Sequence, residues 1–199
     1  MNSVWKRYGI FGVLSILLIA FDQWTKVLAF DKLRADGPIV ILDGVFELLY
    51  SENRGAAFGI LQGQKWFFLL VAGAVVFVIL FFLYKMPANK KLLPLYFCTV
   101  LLASGAIGNV IDRLSRGFVV DFLYFKLIDF PIFNVADCYV VVSAGLLILL
   151  TGFYYKDEEF PIIVDFLNNL FKNGPKNCFI GSKRVVGKEI EKCETCMIQ

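Results

Sequence analysis

Residues 118–137 read FVVDFLYFKLIDFPIFNVAD, three aspartates set among phenylalanine, valine, isoleucine and leucine. An ionised carboxylate in such surroundings is costly unless a cation or hydrogen-bond donors meet it, so the unpaired ones are the ones to read for chemistry. Spacing sorts them. Asp129 lies three residues after Lys126 in a loop and can be solvated. Asp22 and Lys26 are spaced i,i+4, as are Asp112 and Arg116, so each of those carboxylates has an in-helix cation. Asp121 and Asp137 have no cation within helical reach. Two carboxylates brought within ~3 Å cannot both ionise, and the pair holds one proton between them. The ionised member can activate a water while the protonated member polarises a carbonyl, which is the chemistry of aspartic peptidases.

The chain contains no histidine. That removes the Ser-His and Cys-His nucleophile systems and the His-based metal sites of most metallopeptidases, and no metal and no cofactor are expected. Cys98 and Cys138 read as small packing residues, while Cys178, Cys193 and Cys196 read as solvated thiols, since a lone CETC lacks a second ligand pair. Plainer roles stand beside the catalytic one. Asp22 with Lys26 reads first as a structural pair. Asn109 shares a helix face with Asp112 and Arg113 and suits a hydrogen-bonding brace, and Asn134, three residues before Asp137, suits a helix cap. Gly105 and Gly108 read as small residues that let helices approach closely.

The elements that must position these residues are membrane spans. The 199-residue chain is 58% apolar with a mean hydropathy of +0.69, beyond the usual share of a soluble domain. Four weakly charged runs, at about 8–29, 66–84, 92–111 and 137–155, each approach the ~20 residues that cross a bilayer. Four spans place both termini on one side. The first run is not a cleavable signal peptide, because Asp22 and Lys26 interrupt its end and no small-residue cleavage pattern follows. Lys6, Arg7, Lys85, Lys90, Lys91 and Lys156 lie near helix ends on the side of the termini, whereas Lys32, Arg34, Lys65 and Lys126 on the other are offset by Asp31, Asp36, Asp43 and Asp129. The positive-inside rule then puts both termini in the cytoplasm. A scattered net charge of +3 gives no footprint for nucleic acid.

Outer loops are expected at 30–65 and 112–136. In the first, IVILDGVFELLY sets two apolar runs around Asp43-Gly44, a hairpin signal, and FVVDFLYF in the second is β-branched and aromatic enough to add a strand. A small antiparallel sheet at the outer membrane surface is the expected result. Residues 1–156 then form a four-helix membrane domain and 157–199 a cytoplasmic tail. The segment 161–172 of that tail is patterned as an amphipathic helix suited to the inner interface or to a partner protein. With this alternation Asp22, Lys26, Asn53, Arg54, Asn109, Asp112, Arg113, Asp121 and Asp137 all come to one membrane face, and no inner end has a comparable set.

The motifs DQWTK at 22–26, ENRGAAFG at 52–59, GAIGNVIDR at 105–113, VVDF at 119–122 and FNVAD at 133–137 together resemble those of the lipoprotein signal peptidases, signal peptidase II, the membrane aspartyl peptidases of bacteria. The likeness spans roughly residues 8–155. It implies four transmembrane helices with a small antiparallel sheet cradle and an extended loop on the outer (periplasmic) face. The implied substrate is a prolipoprotein carrying diacylglycerol on its cysteine, cut just before that cysteine in the bacterial inner membrane. The resemblance maps the catalytic dyad onto Asp121 and Asp137. Asn53, Gly55, Asn109, Asp112, Arg113, Asn134 and Ala136 fall on positions that line or brace the site, and Asp22 and Lys26 on a supporting polar pair. The expected partners are the lipid-modified substrate and membrane lipid, with no nucleic acid, and the protein is expected to act as a monomer. Nothing in the resemblance gives the tail a role.

Two readings from other classes remain at this point. A cation-coupled transporter also keeps carboxylates in the membrane, but near the midplane of broken or repeated helices, and the chain shows no internal repeat. A non-enzymatic scaffold that binds a partner through its outer sheet would tolerate asparagine at Asp121 or Asp137.

Overall fold

The structure, a computed structural model, describes residues 3–55, 63–86, 89–155, 179–180 and 183–184. The amphipathic segment 161–172 and Cys178, Cys193 and Cys196 lie outside the described residues. Helix α1 (Ser3–Leu28) continues through a π-helical turn (Ala29–Leu33) and a last turn (Arg34–Asp36). Strands β1 (Ile39–Leu42) and β2 (Phe46–Asn53) follow, then helices α2 (Lys65–Lys85) and α3 (Leu93–Ser115), strand β3 (Val119–Phe125) and helix α4 (Val135–Leu149). A π-helical turn (Leu150–Tyr154) extends α4. The chain divides into units at 1–158 and 159–199. Of the second, the described residues are a two-strand pairing, β4 (Phe179–Ile180) antiparallel to β5 (Lys183–Arg184).

Four helical stretches, Trp5–Asp36, Lys65–Lys85, Lys90–Ser115 and Val135–Tyr154, are long and apolar enough to cross a membrane. They present large apolar side chains outward, Leu70 at 71% exposed, Phe77 at 70% and Val141 at 69%, which suits hydrocarbon and not water. The interior sets small and polar residues beside larger apolar ones such as Leu83 and Leu101. Val100, Ala103 and Ser104 of α3 are fully buried, and the Ser143 hydroxyl of α4 donates to the Cys98 carbonyl oxygen at 2.9 Å. Tyr139 of α4 donates to the Leu18 carbonyl oxygen of α1 at 3.2 Å, and Tyr8 of α1 to the Leu80 carbonyl oxygen of α2 at 2.9 Å. At the end remote from the sheet, Tyr96 reaches the Arg7 carbonyl oxygen at 2.6 Å and the Arg7 guanidinium donates to the Met86 carbonyl oxygen.

Sheet order is β1-β2-β3, all antiparallel. The Asp43-Gly44 turn forms as the sequence predicts, with Val45 N–H donating to the Leu42 carbonyl oxygen at 3.0 Å and Gly44 at φ +68°, a conformation glycine adopts without strain. Phe46 of β2 faces Phe125 of β3, and Ser51 faces Asp121. The π-helical turn of α1 drops Ala29 and Leu33 onto Val120 and Phe122 of β3, with Phe30, Tyr50 and Val135 around them. That cluster is the apolar seat of the sheet. Segment 133–135 closes on β3 as well, since Phe133 exchanges hydrogen bonds of 2.8 Å and 3.0 Å with Leu123. The start of α4 is thereby fixed to the strand that carries Asp121.

Two features differ from the sequence reading. The first helix runs on to Asp36 because the π-helical turn keeps its backbone bonded where a loop was expected. Lys126, three residues from Asp129, pairs instead with Glu47 at 2.7 Å, while Asp129 is exposed, as expected, and accepts the Tyr124 hydroxyl at 2.7 Å.

Helices α3 and α4 meet at glycines. A Cβ on Gly105 would stand 2.5 Å from the Ala136 carbonyl oxygen and 2.8 Å from Val140, and one on Gly108 would stand 2.6 Å from Asp22 Oδ2. Gly105→Ala and Gly108→Ala should each destabilise the fold by about 1–3 kcal/mol, the usual cost of overpacking, read as a lowered unfolding midpoint in detergent. Midpoints equal to wild type would contradict this helix contact.

Candidate active site

The end of the bundle nearest the sheet holds a fully buried lysine. Lys26 comes from the last turns of α1, and its ammonium meets Asp22 Oδ2 at 3.0 Å, Asp112 Oδ2 at 3.1 Å and Asn109 Oδ1 at 2.9 Å. All three ammonium protons therefore have acceptors. A buried cation is tolerated only with such saturation. The carboxylates it holds are themselves anchored to backbone. Asp22 Oδ1 accepts the Ala136 N–H at 2.9 Å, and Asp112 Oδ2 accepts the Val120 N–H at 3.2 Å. Asp112 Oδ1 takes the guanidinium of Arg116. One cluster thus ties α1 to α3, to the head of α4 and to β3.

Above it lie Asp121 and Asp137. Asp121, on β3 and 2% exposed, accepts Asn53 Nδ2 on Oδ2 at 2.9 Å and Asn134 Nδ2 on Oδ1 at 2.6 Å. Asp137, half-buried in the first turn of α4, accepts Asn109 Nδ2 on Oδ1 at 2.8 Å and the Asn134 N–H on Oδ2 at 3.2 Å. Asn134 caps α4 in a full capping box, its Oδ1 accepting the Asp137 N–H at 3.0 Å. A single residue thereby touches both carboxylates. Its amide also reaches Asn109 Oδ1 at 3.2 Å.

The end of β2 and Gly55 join the network. Asn53 Oδ1 accepts the Gly55 N–H at 3.0 Å, and Arg113 donates to the Gly55 carbonyl oxygen at 3.0 Å while its guanidinium lies 4.5 Å over the Phe68 ring of α2. Burial pushes the Asp121 carboxyl up to about 7, and the neighbouring Asp137 charge adds to the rise, against the lowering by the Asn53 and Asn134 amides and by Lys26. A carboxyl of that proton affinity beside a second carboxylate can hold the single proton that water activation with carbonyl polarisation requires.

The structure brings Asp22, Lys26, Asn53, Gly55, Asn109, Asp112, Arg113, Asp121, Asn134, Ala136 and Asp137 into this one network. Two links escape helical spacing. Lys26 is shared between Asp22 and Asp112, where spacing pairs Asp112 with Arg116 alone. Gln23, not singled out in the sequence, donates to Asp22 Oδ2 and to the Gly108 carbonyl oxygen, both at 3.1 Å. Its place beside Asp22 in DQWTK was the only available sign.

Comparison with known proteins converges on one family. Residues 14–153 match the family model described as Signal peptidase (SPase) II. The lipoprotein signal peptidase of Streptococcus thermophilus (strain CNRZ 1066) is 45% identical over 147 residues, 74% of this chain and 93% of that protein. That of Clostridioides difficile (strain 630) is 40% identical over 142 residues, 71% and 94% of the two chains. Among solved structures, a bacterial membrane enzyme determined by the in meso method at 2.3 Å resolution superposes with a TM-score of 0.63 at 26% identity, over 84% of this chain and 94% of that one. A second, at 1.9 Å, gives 0.63 at 29% identity over 73% and 94%.

The raised proton affinity of Asp121 has a consequence for stability. The folded state binds this proton more tightly than an unfolded chain, whose carboxyl titrates near 3.8, so the contribution is complete below about 4 and is lost as pH rises through about 7. The loss should be on the order of a few kcal/mol. Unfolding midpoints of wild type should fall between those pH values, and Asp121→Asn should flatten the fall. Parallel pH curves for the two proteins would contradict the buried, proton-holding Asp121.

Proposed function

Because the chain belongs to the signal peptidase II family, we propose that Asp121 and Asp137 are the catalytic dyad with which it cuts its substrate. The protein is a multi-pass bacterial membrane aspartic peptidase that removes signal peptides from prolipoproteins. The bond cut is the one just before the diacylglyceryl-bearing cysteine. The observation that carries the dyad reading is Asn134, whose side-chain amide donates to Asp121 and whose backbone N–H donates to Asp137, at 2.6 Å and 3.2 Å. One capped helix start holds both carboxylates at fixed positions.

The two carboxyl groups carry the proton transfers of the reaction themselves. The ionised member of the pair accepts a proton from water as the water oxygen attacks the scissile carbonyl carbon. The protonated member donates to the carbonyl oxygen, and a tetrahedral diol forms. On collapse the C–N bond breaks, the amine of the lipidated cysteine leaves with a proton from the dyad, and the signal peptide departs with a new carboxyl group. The asparagines Asn53, Asn109 and Asn134 hold the carboxylates in place. Arg113 holds the Gly55 carbonyl oxygen, and Asp22, Lys26, Asp112 and the Ala136 backbone fix the junction beneath.

The site lies toward the outer face, with both termini cytoplasmic, a reading supported by the excess of lysine and arginine at the opposite helix ends. At that depth the substrate's acyl chains stay in the bilayer lipid while the scissile bond reaches the dyad, and bulk water is excluded. Residues 1–156 form the peptidase domain, acting as a monomer, and 157–199 a cytoplasmic tail.

The test is a processing assay with purified protein in lipid and a diacylglyceryl-modified proform as substrate, read as a mobility shift. Wild type should cut the lipidated form and spare the unmodified one. Asp121→Asn and Asp137→Asn should each lose roughly 10²–10⁴-fold in rate with the fold retained, the usual worth of a positioned acid or base. Cleavage by both folded variants at wild-type rate would overturn the dyad and favour the scaffold reading.

A further inference from the structure

An amide side chain presents two ends of similar shape and opposite hydrogen-bonding character, and only its partners decide which end faces which way. Each of the three asparagines around the dyad has its carbonyl oxygen met by a group that can only donate. For Asn53 that group is the Gly55 N–H at 3.0 Å, and for Asn134 it is the Asp137 N–H at 3.0 Å. For Asn109 it is the Lys26 ammonium at 2.9 Å, joined by the Asn134 amide at 3.2 Å. Each NH2 is then left to face a carboxylate, Asp121 for Asn53 and Asn134, Asp137 for Asn109. Two of these locks are backbone and come with the fold. The third is a side chain, and it is the one that carries charge.

We propose that Lys26 is a positioning residue for catalysis: its buried ammonium fixes the polarity of the Asn109 amide, so that Asn109 always offers Asp137 a donor. This rests on the dyad reading above. Without the ammonium only the longer 3.2 Å contact from the Asn134 amide holds the Asn109 oxygen, and the amide can turn that oxygen toward Asp137, which replaces a hydrogen bond to a carboxylate by contact between two acceptors. The pair would then take up its second proton more readily and spend less of its time singly protonated. Lys26 touches no reacting atom: it acts on Asp137 through Asn109, and its charge also holds down the proton affinity of Asp121 through space, a contribution that Asn109→Leu leaves in place. Among the described residues, the other charged or titratable groups around Asp137 are Asp121 of β3, Arg113 and Asp112 of α3, Asp22 of α1 and the adjoining Cys138. Of these, only Arg113 is a permanent cation, and its guanidinium is engaged on the Gly55 and Asn109 carbonyl oxygens, at 3.0 Å and 3.4 Å.

Removing Lys26 alone would strand two buried carboxylates, so the test uses a balanced variant. Lys26→Met with Asp22→Asn takes away one charge of each sign and leaves Asp112 with Arg116. A second variant, Asn109→Leu, keeps Lys26 with both its carboxylates and removes the donor to Asp137 without adding a charge. Steady-state processing of the lipidated proform is followed across pH for these two, for wild type and for Asp121→Asn and Asp137→Asn. Both test variants should lose about ten- to a hundred-fold in kcat near neutral pH, the worth of one hydrogen bond to a charged group. KM should stay within about twofold, and the acidic limb of the pH–rate profile should move up by about one pH unit. A folded variant with wild-type kcat and limbs overturns the proposal. So does a loss that is equal at every pH, which a purely structural lysine would give. If the balanced variant does not fold, Asn109→Leu decides: wild-type kcat and limbs there would show that the donor through which Lys26 acts does not matter, and the proposal falls. Cleavage by folded Asp121→Asn or Asp137→Asn would instead sink the dyad itself, whereas inert dyad variants with unmoved limbs in the test variants sink only the role of Lys26.

Discussion

A lysine with no exposed surface, placed at the end of a membrane-spanning bundle, constrains everything around it. Its charge has to be balanced and its three protons accepted, or the buried end of α1 would be destabilised by several kcal/mol. Asp22, Asp112 and Asn109 meet that requirement from two helices. Each carboxylate then accepts a backbone N–H from a third element, Ala136 at the head of α4 and Val120 on β3. The consequence is mechanical. The helix and the strand that carry Asp137 and Asp121 are both fastened to the same cation, so the separation of the two carboxylates is set by a rigid polar core and not by loops.

The apolar packing works toward the same end. The π-helical turn that prolongs α1 lays Ala29 and Leu33 against Val120 and Phe122, pinning the face of β3 opposite to Asp121. Glycines at 105 and 108 let α3 approach α4 and Asp22 closely enough for the hydrogen bonds to form, where any Cβ would collide. Outside this junction the helices offer lipid-facing leucine, valine and phenylalanine, and contribute depth in the membrane more than chemistry.

Much of this was legible from residue types and spacing. The four apolar runs, the Asp43-Gly44 hairpin, the strand at VVDFLYF and the cap at Asn134 follow from local patterns, and local patterns formed them. Asp121 and Asp137 stood out because helical spacing offers them no cation. What spacing could not show was the sharing of Lys26 between Asp22 and Asp112, since the second contact depends on how α1 packs on α3 and not on any interval along the chain. The continuation of α1 to Asp36 was hidden for a related reason. Residues 29–36 mix charged and apolar side chains in a way that fits a loop, and it is their packing on the sheet that keeps them helical.

The proposed pairing of Asp121 with Asp137 requires one proton shared between two carboxylates within this frame, and burial raises Asp121 to about 7. The most direct measurement is an isotope-edited infrared titration of the aspartate side chains in the intact, lipid-reconstituted protein. The account predicts a protonated carboxyl band in the wild type that disappears as pH is raised through about 7 and is missing in Asp121→Asn. A wild-type protein whose aspartates are all ionised well below that pH would contradict it.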